Sequence, residues 1–179
     1  LVLATGGGAM VHAAYSSGSP ALGVGVGNAV ITVDDTADLD AAAEKIRLSK
    51  TLDLAASCSS DNSVVLLDGI YEPMLEKLKA QGGYLCNAEE KAALRRTLWD
   101  EELHLNTAIV AQPPEKIAQM AGLSIPEETK FFIVPEEGWG PEHPFSGEKL
   151  SVIMALYRAR DIDHALSLIH ISEPTRPTD

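Results

Sequence analysis

Cysteine is scarce in this chain, and the scarcity limits what its thiols can do. Only Cys58 and Cys86 occur among 179 residues, and neither belongs to a C-x-x-C motif or to a Cys/His cluster. A disulfide framework and a zinc site are therefore not indicated. This usage favours a reducing compartment, and we expect the protein to be cytoplasmic.

Positive charge and long apolar runs are also in short supply. Fourteen Lys and Arg residues against 26 Asp and Glu give a formal net charge of −12, which is the wrong sign for binding a phosphate backbone. The apolar stretches, such as residues 21–33, are rich in glycine and too short to span a bilayer. No charged segment precedes an apolar one in the manner of a signal peptide. We therefore expect neither a nucleic-acid partner nor a membrane partner.

Strand-like and helix-like segments alternate along the chain. Apolar, β-prone runs include "LVLAT", "SVVLLD" and "KFFIVP", whereas "LDAAAEKIRLSKTL" is the longest helical pattern and "YEPMLEKLKAQGG" ends on a glycine stop. The segments "TAIVAQ" and "KLSVIMALYRA" continue the alternation. Strands separated by helices predict an α/β fold with a mainly parallel sheet and flanking helices.

Both ends of the sequence indicate a chain cut from something longer. Leu1 opens an apolar, strand-like run for which the sequence supplies hardly any neighbours. From residue 169, "IHISEPTRPTD" contains two prolines that stop the preceding helical pattern, and it resembles translated sequencing adapter. We expect a fold incomplete at both ends, with a non-native tail at residues 169–179. Such a fragment is not expected to fold cooperatively or to turn over alone.

Three stretches could carry chemistry, and each has an alternative interpretation. Cys58, in "AASCSSDNSVV", lies between the long helical pattern and an apolar strand, where it could be a nucleophile or a small buried side chain. The glycines of "ATGGGAM" could bring backbone N–H groups to a phosphate, although the dinucleotide and P-loop spacings are absent and a tight turn is equally compatible. Glu148, in "PFSGEKL", would by itself be a solvated loop acid.

Five separate stretches occur in the order and spacing of the CoA-acylating aldehyde dehydrogenases. They are "ATGGGAMVHAAYSSGSPALGVGVGN", "SKTLDLAASCSSDNSVV", "GGYL", "LNTAIVAQPPEKIAQMAG" and "PFSGEKL". Over nearly all of residues 1–168 the sequence resembles this family, including the aldehyde dehydrogenase half of the bifunctional alcohol/acetaldehyde dehydrogenases. The resemblance implies an aldehyde dehydrogenase-like fold. Residues 1–26 would end a cofactor-binding domain, and residues 27–168 would form an incomplete catalytic domain.

The same resemblance assigns roles to four residues. Cys58 matches the catalytic cysteine, whose thiolate adds to an aldehyde, expels hydride onto a nicotinamide and keeps the acyl group as a thioester. Gly6 and Gly7 match positions where the backbone lies against the cofactor pyrophosphate, and Glu148 matches the acid that hydrogen-bonds the nicotinamide ribose. The resemblance implies NAD or NADP as cofactor, coenzyme A as co-substrate, no metal, and a homo-oligomer when full length.

One missing carboxylate indicates which acyl acceptor is used. In hydrolytic aldehyde dehydrogenases a glutamate 34 positions before the cysteine activates water, and Val24 holds that position here. Valine cannot act as a general base, whereas a thiol with a pKa of about 8.5 supplies some thiolate at neutral pH unaided. The expected reaction is aldehyde, CoA and NAD(P)+ to acyl-CoA and NAD(P)H, in either direction. A hydrolytic aldehyde dehydrogenase and a non-catalytic fragment are the alternatives.

The substrate is left open between acetaldehyde and sulfoacetaldehyde. "CSSDNS" and "PFSGEKL" are similar to the acylating sulfoacetaldehyde dehydrogenases, and a sulfonate would call for a nearby cation. Lys45, Arg47 and Lys50 precede Cys58, but a solvated helix face explains them equally well. The family usually has proline after "EKLS". Val152 stands there, and we expect it to alter a local turn rather than the chemistry.

Overall fold

The structure, a computed structural model, describes residues 1–25 and 27–168. The expected tail at residues 169–179 lies outside the described residues. Val26, at the boundary between the two expected domains, also lies outside them.

The strands of the described part form two separate sheets, and every pairing is parallel. Strand β1 (Val2–Thr5) pairs with β2 (Ala21–Val24) in a two-stranded sheet. The other sheet has the order β3-β4-β7-β6-β5. Its strands are β3 (Val30–Val33), β4 (Ser63–Leu67), β5 (Gly83–Leu85), β6 (Phe131–Pro135) and β7 (Ile153–Ala159). The α/β fold with parallel strands is confirmed.

The helices are α1 (Gly8–Tyr15), α2 (Leu39–Thr51), α3 (Tyr71–Ala80), α4 (Ala88–Leu98), α5 (Pro114–Ala121) and α6 (Ile162–Leu168). Helices cross from β1 to β2, from β3 to β4, from β4 to β5 and from β5 to β6, as is usual for parallel strands. An irregular connection without an α-helix joins β6 to β7, and α6 follows β7. Helix α2 begins where the Asp38 side chain accepts the Ala41 N–H at 3.1 Å. Residues 107–112 do not continue the strand alternation, because Thr107–Ile109 forms a single 3-10 turn capped by Asn106.

The core surrounds the two central strands of the larger sheet. All of β4 except its last residue is buried, as is all of β7 except Arg158. Continuous apolar runs such as "SVVLL" are typical of strands covered by helices on both faces. The smaller sheet differs, because Leu3, Leu22 and Val24 expose between 60% and 73% of their surface.

Parallel pairing places the amino ends of the strands at one edge of the larger sheet. The residues that precede β3, β4 and β7 therefore meet there, and they include residues 27–29, 57–62 and 144–152. We call this the amino edge. Among the described residues, no helix is both long enough and apolar enough to cross a membrane.

Candidate active site

Cys58 lies at the amino edge, in a turn between α2 and β4. The Ser60 N–H donates to the carbonyl oxygen of Ser57 at 3.0 Å and closes the turn, and the hydroxyls of Ser57 and Ser59 lie 2.8 Å apart. The Cys58 thiol is free and its residue is exposed, whereas Cys86 is buried. Burial raises the pKa of the Cys86 thiol to about 12. Of the two cysteines, only Cys58 is placed to meet a substrate.

An unusual backbone leads into this turn. Asp53, Leu54 and Ala55 adopt φ angles of 47°, 53° and 58°, which is the left-handed region that side chains other than glycine rarely occupy. Such conformations cost of order 1–3 kcal/mol each and persist only where the surrounding structure enforces them. The end of α2 is therefore bent to present Cys58, at a cost in stability.

Asn62 joins three separate segments of the amino edge. Its side-chain amide donates to Asn28 Oδ1 and to the Gly147 carbonyl oxygen, both at 2.6 Å. A Cβ added at Gly27 would lie 3.9 Å from the Cys58 carbonyl oxygen, so residues 27–29 pass beside the cysteine turn. The structure thus brings the segments of Cys58 and Glu148, two sequence-predicted site residues, to one edge.

Glu148 is not the solvated acid that its local sequence alone suggested. The residue is half-buried, and its Oε1 atom is buried without a hydrogen-bond partner. Burial raises the pKa of this carboxyl, against the opposing charge of Lys149. A buried acceptor without a donor is rare in native structures and calls for an explanation. Paired hydroxyl donors, such as those of a ribose, would satisfy it.

Two buried lysines lie beneath the site. Lys149 is fully buried, and its Nζ atom donates to the carbonyl oxygens of Phe145 at 2.5 Å and Gly147 at 3.0 Å. Burial lowers the pKa of Lys149 well below its usual range. Lys50, 1% exposed, has its pKa lowered by burial to about 7, although the charge of Asp61 opposes that shift.

The position of Lys50 corrects one sequence interpretation. A solvated helix face cannot explain Lys50, because α2 turns that residue inward. Sequence reasoning also missed Asn62 and Lys149. The local sequence of Asn62 carries no distinguishing signal, since only the fold brings it to Gly147, 85 positions away. Lys149 binds carbonyls four and two positions away, but its burial depends on the fold.

Gly6 and Gly7 lie on the smaller sheet, in the loop from β1 to α1. The Gly6 N–H donates to the Val24 carbonyl oxygen at 3.1 Å. Gly7 is the N-cap of α1, without a side-chain capping bond, and a Cβ added there would meet nothing within 4 Å. First-turn N–H groups of a helix lack intrahelical partners. The backbone is therefore open at Gly7, whereas a Cβ added at Gly6 would lie 2.9 Å from Met10 Sδ. The phosphate-binding role of both glycines stays a prediction.

A cavity of about 600 Å³ opens at the opposite edge, where β5, β6 and β7 end. Glu136 lines it and is buried, accepting from Lys91 at 3.0 Å and from His143 at 2.7 Å. Burial alone would raise the pKa of Glu136, but the hydrogen bonds from His143 and Lys91 hold it below its ordinary value. We call this the carboxyl edge. Its buried carboxylate is fully paired.

Comparison with known proteins identifies close relatives, although no family model matches the chain. It is 45% identical over 166 residues to the bifunctional aldehyde-alcohol dehydrogenase AdhE of Escherichia coli K12, covering 93% of this chain and 18% of that protein. It is also 45% identical over 171 residues to the acylating sulfoacetaldehyde dehydrogenase of Cupriavidus necator, covering 94% of this chain and 34% of that protein.

Solved structures show the same architecture. An acetylating aldehyde dehydrogenase from Geobacillus thermoglucosidasius matches with a TM-score of 0.89 and 38% identity, over 95% of this chain and 38% of that one. A propionaldehyde dehydrogenase from Rhodopseudomonas palustris with bound propionyl-CoA matches with a TM-score of 0.86 and 26% identity, over 95% and 38%.

The chain thus spans about a fifth to a third of the length of these curated relatives. Both curated relatives are named as aldehyde dehydrogenases, and the matched structures have the same fold as the described residues. Over nearly its whole length, the chain is therefore similar to one segment of the acylating aldehyde dehydrogenases.

Proposed function

We propose that a full-length protein containing this chain is an NAD(P)-dependent acylating aldehyde dehydrogenase that uses Cys58 as its nucleophile. The reaction converts an aldehyde, CoA and NAD(P)+ to acyl-CoA and NAD(P)H, with acetaldehyde or sulfoacetaldehyde as the substrate. Residues 27–168 supply the cysteine-bearing part, and residues 1–26 supply the end of the cofactor-binding part.

The chemistry follows from what a thiolate can do at a carbonyl. The Cys58 sulfur bonds to the aldehyde carbon, and the backbone N–H of Cys58 would donate to the resulting oxyanion. A bound nicotinamide would accept the hydride that leaves this carbon, and the acyl group stays on Cys58 as a thioester. Attack by the CoA thiolate on the thioester carbon then breaks the carbon–sulfur bond and returns the Cys58 thiolate.

One observation carries the proposal: Cys58 is accessible at the same edge where Glu148 has a buried, unpartnered oxygen. An accessible thiol at the same edge as an unpartnered acceptor for hydroxyl donors suits a nucleophile that works with a bound dinucleotide. The relatives support the CoA-dependent form, since the C. necator protein is named as acylating and the R. palustris structure holds propionyl-CoA.

The hydrolytic alternative lacks a base at position 24. Val24 ends β2 and has no group that could take a proton from water. A thiol acceptor does not need that help at neutral pH. We therefore expect CoA, and not water, to release the acyl group.

The test measures formation of reduced nicotinamide by the full-length protein, with acetaldehyde and with sulfoacetaldehyde, each with and without CoA. We expect turnover to depend on CoA and acyl-CoA to be the product. The better of the two aldehydes identifies the substrate. Release of free carboxylic acid as the main product without CoA would contradict the proposal and would require another base for water.

A further inference from the structure

Two buried side chains hold the backbone turn before Glu148 by hydrogen bonds. The Gly147 carbonyl oxygen accepts from Asn62 at 2.6 Å and from Lys149 at 3.0 Å. Lys149 also binds the Phe145 carbonyl oxygen at 2.5 Å. Both donors are almost fully buried, Asn62 with 4% and Lys149 with 0% of its surface exposed.

We propose that Lys149 is a positioning residue, whose ammonium group fixes the carbonyls of Phe145 and Gly147 and thereby sets the position of the Glu148 carboxylate at the dinucleotide site beside Cys58. This inference rests on the proposed function, because it gives Glu148 a bound dinucleotide to contact. Lys149 itself does not touch a substrate.

The hydrogen-bond partners of Lys149 distinguish this role from simple packing. A buried ammonium is costly unless it is paired, and its usual partner is a carboxylate. Among the described residues, no carboxylate oxygen lies within 4.0 Å of Lys149 Nζ. Its hydrogen bonds go instead to two carbonyls of one turn. The hydrogen bonds that satisfy this ammonium therefore hold the backbone conformation of that turn.

The backbone on the other side of Lys149 also needs support. Leu150 adopts a φ of 46°, in the left-handed region, and its carbonyl oxygen accepts the Ala111 N–H at 3.1 Å. A strained residue keeps its conformation only when neighbouring contacts enforce it. Without the Lys149 hydrogen bonds, we expect the turn to relax and the Glu148 carboxylate to move.

The experiment is a double-mutant cycle in the full-length protein that combines Lys149→Met with Glu148→Gln. The readout is the dissociation constant of the reduced dinucleotide, measured by fluorescence titration. We expect Lys149→Met to weaken binding about tenfold, the value of one charge-assisted hydrogen bond. We expect the double variant to bind no more weakly than Glu148→Gln alone, because Lys149 acts through Glu148.

Lys50→Met is the matched control. Lys50 is a second buried lysine of the same polar cluster, and among the described residues it makes no hydrogen bond to residues 144–148. This variant removes a buried charge but keeps the hydrogen bonds from Lys149 to the turn. We therefore expect dinucleotide binding to change less than about twofold. An equal loss in both lysine variants would overturn the positioning role and indicate a general loss of stability.

Additive losses in the cycle would also overturn the inference, as would unchanged binding in Lys149→Met. Should Lys149→Met fail to fold, Asn62→Ala loosens the same Gly147 carbonyl from the other side without burying a new group, and its coupling to Glu148→Gln decides the matter. Because binding is measured without turnover, failure of the proposed function is seen separately, as CoA-independent product or as activity that survives loss of the Cys58 thiol.

Discussion

The two edges of the five-stranded sheet differ in how their buried polar atoms are satisfied. At the carboxyl edge, Glu136 accepts from Lys91, from His143 and from the Glu137 N–H. At the amino edge, three buried atoms are without partners among the described residues: Ser63 Oγ, Glu148 Oε1 and Ser151 Oγ. Saturated buried groups stabilise a fold, whereas each unsatisfied one needs an explanation such as bound water, a ligand or strain. The comparison indicates a structural role for the carboxyl edge and agrees with the ligand-binding role proposed for the amino edge.

Much of the backbone strain lies near the amino edge. Six described non-glycine residues have positive φ, and four of them (Asp53, Leu54, Ala55 and Leu150) precede β4 or β7, whereas Leu103 and Ala111 lie between α4 and α5. Strained backbone concentrates where function fixes a geometry that stability alone would not select. Substitutions at the amino edge are therefore expected to lower activity, and substitutions at the carboxyl edge are expected to lower the free energy of unfolding.

The largest expected effect is the loss of activity in Cys58→Ala. Removing the proposed nucleophile at the amino edge should lower kcat/KM of the full-length protein by at least about 10³-fold, because alanine cannot form the thioester. Cys86→Ala is the matched control, and it should keep most of the activity, since that thiol is buried and its pKa is raised to about 12.

Thiol alkylation independently measures the difference in accessibility between Cys58 and Cys86. Iodoacetamide at neutral pH should modify Cys58 and leave Cys86 unmodified in the folded protein, as followed by mass spectrometry of peptides. Activity that survives complete modification of Cys58 would remove this thiol from the mechanism.

An intermediate effect is expected at the carboxyl edge, and it concerns stability. Glu136→Gln should lower the free energy of unfolding by about 2 kcal/mol, because it breaks a buried charge pair whose partners Lys91 and His143 are partly exposed. Denaturant unfolding of the full-length protein measures the change. Catalysis per folded molecule should stay near the starting value, and a selective loss of kcat would place Glu136 in the active site instead.

The lowered pKa of Glu136 also predicts how the stability of the protein depends on pH. The folded-state pKa of Glu136 lies below its ordinary value, so its contribution is complete above the unfolded-state pKa and is lost as the pH falls through the folded-state pKa. The difference in Tm between the original protein and Glu136→Gln should therefore shrink as the pH is lowered from about 6 to about 3. A constant difference over that range would contradict the pairing.

The smallest effect is expected away from both edges. Lys79 and Glu76 form an exposed ion pair on α3, with Nζ and Oε1 2.8 Å apart. Lys79→Ala should change the free energy of unfolding by less than about 0.5 kcal/mol, because solvent and salt screen such pairs. The same denaturant titration provides the baseline for Glu136→Gln. A change as large as that of Glu136→Gln would contradict the special contribution to stability that we assign to the carboxyl edge.

Local patterns were sufficient for most of the fold. Alternating strand and helix segments predicted parallel α/β architecture, and "LDAAAEKIRLSKTL" became α2, the longest described helix. The apolar residues 107–112 were misleading, because periodicity alone does not separate a short buried strand from a single turn. Local sequence also could not locate Lys50, whose burial depends on which side of α2 faces the sheet.

What the sequence by itself determined is the fold class, the resemblance to one family and the position of one cysteine between a helix and a strand. These follow from short-range periodicity and from motifs whose residues are close along the chain. The tertiary structure alone decided which polar groups meet at the amino edge, since Asn62 and Gly147 are 85 positions apart. Glu148 is half-buried and Lys149 is fully buried because the parallel order of the strands places the start of β4 beside the start of β7.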